Sequence, residues 1–119
     1  MITFVYILLI HWICDFILQN DEMAKGKSQS MYWLTSHIWR YSWTLFVLSL
    51  PFVLSTSIMN IVLFTIINGG SHCIIDYFTS RRTSYLWKQQ RVHDFFVCIG
   101  FDQFLHVAIL YITYLNLLI

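Results

Sequence analysis

YSWTLFVLSLPFVLSTSIMNIVLFTIINGGSHCII, residues 41–75, runs for 35 residues without an Asp, Glu, Lys or Arg. Built as a single helix at ~1.5 Å per residue it would be roughly 50 Å long, well beyond the ~30 Å hydrocarbon core of a bilayer. The run must therefore turn back on itself. Pro51, followed by Ser55, Thr56 and Ser57, marks the break, because proline cannot continue the helical hydrogen-bond ladder and the hydroxyls favour turns. Apolar runs on either side extend the pattern to spans at about 2–19, 31–50, 57–78 and 95–118. The expectation is an all-α, polytopic membrane protein with a bundle of about four transmembrane helices, forming one domain over residues 1–119.

Composition agrees. With 58% hydrophobic, 18% aromatic and 11% charged residues and a mean hydropathy of +0.64, the chain has too little polar surface to cover a soluble globule. Its expected solvent partner is the lipid bilayer. A net charge of +1, with aromatics inside apolar runs and no basic stripe, argues against nucleic-acid binding. Cys14, Cys73 and Cys98 are odd in number, widely spaced and set in apolar sequence. They read as unpaired core residues, since neither a disulfide framework nor a zinc knuckle has that pattern. The first apolar run, Ile2 to Leu18, has no basic leader and no small-residue cleavage site, and it carries His11 and Asp15. It is therefore expected to stay in the mature protein.

The connections differ sharply in charge. Asn20 to Ser30 holds Lys25 and Lys27, Thr79 to Val92 holds Arg81, Arg82, Lys88 and Arg91, and the Pro51 turn holds no cation. Four spans put the first and third connections on one side, which the cation bias makes cytoplasmic, with both termini external. Tyr85 and Trp87 among the cations of the third connection predict a short interfacial amphipathic segment there.

The rare polar residues inside these spans form a pattern. His11, Asp15 and Gln19 are spaced by four, and Asn68, His72 and Asp76 repeat that spacing, so each set lines one helix face. Asp102, Gln103 and His106 lie within about one turn, and the second span contributes His37, with Arg40 and Tyr41 three and four residues on. At ~1.5 Å per residue, His11, Asp15, His37, His72 and Asp76 fall about 4–12 Å from the cytoplasmic helix ends. An ionised Asp facing lipid costs on the order of 3 kcal/mol or more, so these groups are expected to point into the bundle. Interhelical hydrogen bonds alone, worth roughly 0.6–2 kcal/mol each, would be the structural explanation. Several carboxylates and imidazoles at one depth are also what a divalent metal ion or a proton relay requires. Arg40 has two readings: it snorkels to the headgroups, or it pairs with Asp15 or Asp76 and binds an anionic phosphate. His93 and Asp94 are expected at the membrane edge beside Arg91.

The opening HWICDFILQ at residues 11–19, with Met23, Ala24 and Lys25 after it, resembles the start of the bacterial and phage membrane proteins grouped as domain of unknown function 3307. His37, the Asn68, His72, Asp76 series, and Asp102-Gln103 with His106 are similar to the rest of that family's signature, so the resemblance covers nearly the whole chain. It implies a compact multi-pass protein of the bacterial inner membrane. It implies no particular reaction.

Three functions compete on this reading. The first is a metal-dependent membrane-embedded hydrolase in which His11, Asp15, His37, His72, Asp76 and His106 are candidate ligands of a divalent ion. The same set with Asp102, less His37, would carry catalysis, and Gln19, Asn68, Gln103 and Arg40 would support it. No HExxH motif or dedicated nucleophile is present. The second is a proton or cation relay or transporter module, which at 119 residues encloses little pathway and calls for a homo-oligomer. The third is a non-catalytic, assembling adaptor or holin-like protein, which leaves the buried polar pattern without a use.

Overall fold

The computed structural model describes residues 2–119, which fold into five α-helices with no strand among the described residues. Helix α1, Ile2–Trp12, widens at its end into a π-turn over Ile13–Ile17, closed by a bond from the Leu18 amide to the Ile13 carbonyl at 3.0 Å. A short helix α2, Asp21–Gly26, follows, started by the Asn20 side chain accepting from the Met23 amide. Helix α3 covers Met31–Ser49, with Ser30 as its cap. A tight 3₁₀ turn, Leu50–Leu54, contains Pro51, and Ser57 caps helix α4, Ile58–Lys88. Helix α5, Val92–Thr113, ends in a second π-turn over Tyr114–Leu118.

The chain breaks at Pro51, as the sequence suggests. The third connection differs from expectation. Residues 79–88, expected as an interfacial segment, continue α4, leaving only residues 89–91 to join α4 to α5. Arg81, Arg82 and Lys88 are good helix formers with no breaker among them, so charge marks the end of the apolar run and not the end of the helix. The helix stops through backbone geometry: Gln90 takes a φ of 57°, and the Gln90 and Arg91 amides bond back to the Trp87 and Leu86 carbonyls, the double closure typical of a helix C-terminus.

Two segments, Ile58–Lys88 and Val92–Leu118, are long and apolar enough to cross a membrane. The expected four are thus met in length and composition by two. The apolar part of α1, Thr3–Ile17, is shorter, and α3 is diluted by Thr35, Ser36, His37, Arg40, Ser42 and Thr44.

The long helices run up and down, so α1 begins beside the end of α5: Phe4 packs on Tyr111 and Tyr114. The 50–54 turn closes the same end, with Ser55 and Thr56 donating to the Leu118 and Leu117 carbonyls. Ile7, Ile10, Leu45, Phe52, Ile61, Phe64, Leu110 and Leu118 form the apolar core of this half. Helices α3 and α4 approach closely at Gly69, where a Cβ would lie 2.2 Å from the Ser42 hydroxyl. The three cysteines are free, Cys14 buried and the others half-buried.

Candidate functional site

Beyond the apolar core, the same four segments turn polar. Each supplies buried titratable groups on the face that the core residues occupy a turn or more away: His11 and Asp15 from α1 and its π-turn, His37 from α3, His72 and Asp76 from α4, and His106 from α5. The i, i+4 spacing read from the sequence is what aligns them.

The centre is a group of four donors. His37 Nε2 lies 3.1 Å from Asp15 Oδ1 and 3.1 Å from His72 Nε2. His72 Nε2 is 3.2 Å from the same Asp15 oxygen, and both imidazole nitrogens stand 3.5 Å from Asp76 Oδ2. Four ligands placed tetrahedrally at 2.0–2.1 Å from a zinc ion would be about 3.3 Å apart. A second group, Asp76, Asp102 and His106, shares Asp76 with the first. There His106 Nε2 is 3.3 Å from Asp76 Oδ1 and 3.4 Å from Asp102 Oδ2.

The surroundings fix most of these groups. His72 is stacked between Tyr41, at 4.1 Å between ring centres, and His106, at 4.0 Å. Gln103 donates to Asp15 Oδ2 and to Asp102 Oδ2, both at 3.0 Å, while Thr79 donates to the other Asp102 oxygen. Metal-bound histidines usually anchor their second nitrogen by a hydrogen bond. Here Nδ1 of His37 and of His72 has no such partner, and for His72 the ring stacking takes its place.

Lys27, from the segment after α2, reaches in to Asp76 Oδ2 at 2.8 Å. Burial works against its charge, but Asp76, Asp15 and Asp102 outweigh that and hold the ammonium above its ordinary pKa. Three carboxylates and one ammonium leave two negative charges when the imidazoles are neutral, a sum that one divalent cation would cancel.

Four residues singled out in the sequence take other places. His11, expected among the ligands, is held by Tyr41 OH at 3.2 Å and Gln103 Oε1 at 3.3 Å, and its nearest carboxylate oxygen is 3.9 Å away. Asn68 sits one turn nearer the apolar half and bonds the Phe64 carbonyl and Thr113. Gln19 lies at the edge of the cluster, lining a neighbouring cleft. Arg40 is exposed on the outside of α3, three residues from His37, while Tyr41, four residues on, faces the cluster. Near the α4–α5 link, Asp94 pairs with Arg91 at 2.7 Å on the surface, and His93 is exposed.

Lys27 and Thr79 are the participants that sequence reasoning passed over, whereas Tyr41 stood beside His37 in it. The spacing of four from His37 pointed to Tyr41. Nothing local marked Lys27, whose place depends on the path of the chain after α2.

The cleft, about 640 Å³ in volume, opens between the α2 segment, the last turns of α4 and the start of α5, with Asp15, Asp102 and Gln103 on its floor. These features define the class: an all-helical bundle of four long segments around a buried His/Asp cluster that opens at one end. Residues 3–119 match the family described as Protein of unknown function (DUF3307), and the chain belongs to that family. Comparison with curated proteins finds no match, nor does comparison with solved structures.

Proposed function

We propose that the protein is a multi-pass membrane hydrolase of the bacterial inner membrane, with its four long helices spanning the bilayer as a single domain and a divalent metal held by Asp15, His37, His72 and Asp76. The observation that carries this reading is the set of four donor atoms, contributed by three helical segments and separated by 3.1–3.5 Å in five of their six pairings, beside a one-ended cleft. Two imidazoles and two carboxylates suit zinc best among the common ions. Asp76 would bridge to a second ion held with Asp102 and His106.

The bilayer placement rests on an inverted distribution of side chains. Large apolar groups face outward on every long helix, among them Val5, Trp39, Trp43, Ile66, Ile74 and Phe104, while Asp15, Asp76, His11, His37, His72 and His106 are inside. That arrangement suits lipid as solvent. The cation-rich end would be cytoplasmic and both termini external.

A bound zinc ion lowers the pKa of its water to about 7. Within this chain, Gln103 orients Asp15 and Asp102 through its amide nitrogen, and His11 holds Gln103 in turn. Asp102, on the cleft floor and bonded to Thr79, is placed to accept a proton. Passage of ions or protons across the bundle is disfavoured, because the buried Asp and His groups lie at one end and the other half is filled mainly by Ile7, Leu45, Ile61, Phe64 and Leu110.

The test is metal content and thermal stability of the detergent-purified protein. We expect about one to two zinc ions per chain and a lower Tm after chelation. Asp15→Asn should remain folded, since asparagine still hydrogen-bonds, yet lose the metal. A metal-free wild type whose Asp15→Asn variant keeps full biological activity would leave the cluster as structural bonding only.

A further inference from the structure

The cleft above the cluster has two unlike walls. One is made of hydrogen-bond donors. Lys25 and Lys88 stand at its rim, both exposed and without an ion pair among the described residues. Ser80, Thr83 and Ser84 continue the α4 face that carries His72 and Asp76. The Ser80 hydroxyl is buried, with the residue 7% exposed, and has no hydrogen-bond partner. The opposite wall is apolar, formed by Phe95, Phe96 and Ile99 of α5. Phe96 is 62% exposed, so this wall opens onto the outer surface of the bundle.

Lysine ammonium groups can only donate, and serine and threonine hydroxyls can turn to donate. A rim with these groups complements a ligand rich in acceptor oxygens and negative charge, which is the character of a phosphate. The apolar wall complements a hydrocarbon chain, and the volume lies in the usual range for small-molecule sites. We propose that this cleft takes a phosphate-bearing lipid from the bilayer, the phosphate between the rim lysines and the α4 hydroxyls, the chain along Phe95, Phe96 and Ile99. The inference rests on the hydrolase reading for its consequence, since it names the substrate class presented to the Asp15 and Asp102 floor. It does not depend on a metal for binding.

The experiment titrates detergent-purified protein with dioctanoyl phosphatidic acid, dioctanoylglycerol and inorganic phosphate, following tryptophan emission. Trp87 lines the cleft, so the signal should vanish in Trp87→Phe. Phosphatidic acid should bind tighter than either of the other two probes, and Lys25→Gln combined with Lys88→Gln should weaken it about tenfold. That double variant should keep the wild-type Tm and metal content, because both lysines are exposed and outside the cluster. Equal binding of dioctanoylglycerol overturns the phosphate recognition. Equal binding of inorganic phosphate overturns the lipid source. An unchanged affinity in the double variant overturns the assignment to this cleft. If the protein is metal-free yet binds phosphatidic acid through these lysines, the hydrolase reading fails and the lipid site stands. If it holds metal without preferring phosphatidic acid, the reverse is true.

Discussion

The two ends of the bundle are built from the same helices and obey different rules. Around Ile7, Leu45, Ile61, Phe64 and Leu110 the helices meet through shape, and the groups they bury are indifferent to their neighbours' charge. Two turns along, around Asp15, His37, His72 and Asp76, nearly every side chain is specified by the electrostatics of the others. In the first region a residue can be exchanged for another of like volume. In the second, removing one member leaves its partners charged or unpaired.

The sharpest way to break this contrast is Asp76→Ala. Asp76 contacts Lys27, His37, His72 and His106, so its loss should destabilise the bundle by about 3–5 kcal/mol and abolish metal binding. Chemical denaturation in detergent with parallel metal analysis would measure both. A variant with wild-type stability would mean that the polar end is not cohesive.

Phe64→Ala tests the other end. It should cost about 3 kcal/mol through the cavity it leaves, while metal content in the protein that remains folded stays at the wild-type level. Phe64→Leu should recover most of the stability. Loss of metal in Phe64→Ala would show that the two regions are coupled and that the contrast is too simple.

The smallest expected effect lies outside both regions. Gln90 holds a left-handed backbone conformation at the α4–α5 link, which glycine adopts without strain. Gln90→Gly should raise stability by up to about 1 kcal/mol without touching the metal or the core. A decrease would mean that the Gln90 side chain has a role the backbone does not reveal.

The sequence made the polar end more legible than the boundaries of the helices. His11, Asp15, His37, His72, Asp76 and His106 are all buried, because a charged group in an apolar helix has few places to go and a spacing of four fixes its face. Asp102 was legible as a member of the site, whereas its grouping with Asp76 and His106 was not, since that depends on α5 lying against Asp76. The extension of α4 to Lys88 was hidden because hydropathy reports where lipid ends, whereas helices end at caps. Arg40 was drawn toward the cluster by its charge alone. A residue three from His37 and one four from it lie on opposite sides of the His37 direction, and only Tyr41 shares the buried stripe of Leu34, His37 and Leu45.

The short link at residues 89–91 has a bearing on how such a protein is made. It joins the two segments long and apolar enough to cross a membrane, and this hairpin already carries His72, Asp76, Asp102 and His106 in mutual contact. In a bilayer the hairpin could enter on its own hydrophobicity, its charged groups sheltering one another. The shorter α1 and the more polar α3 bring Asp15 and His37, which are costly in lipid until they reach those partners. Biogenesis would then proceed from hairpin to complete bundle, and the four-donor group would come into being only when the last helix has docked. A half-inserted chain would have no such group, so completion of the centre and completion of the fold would be one event.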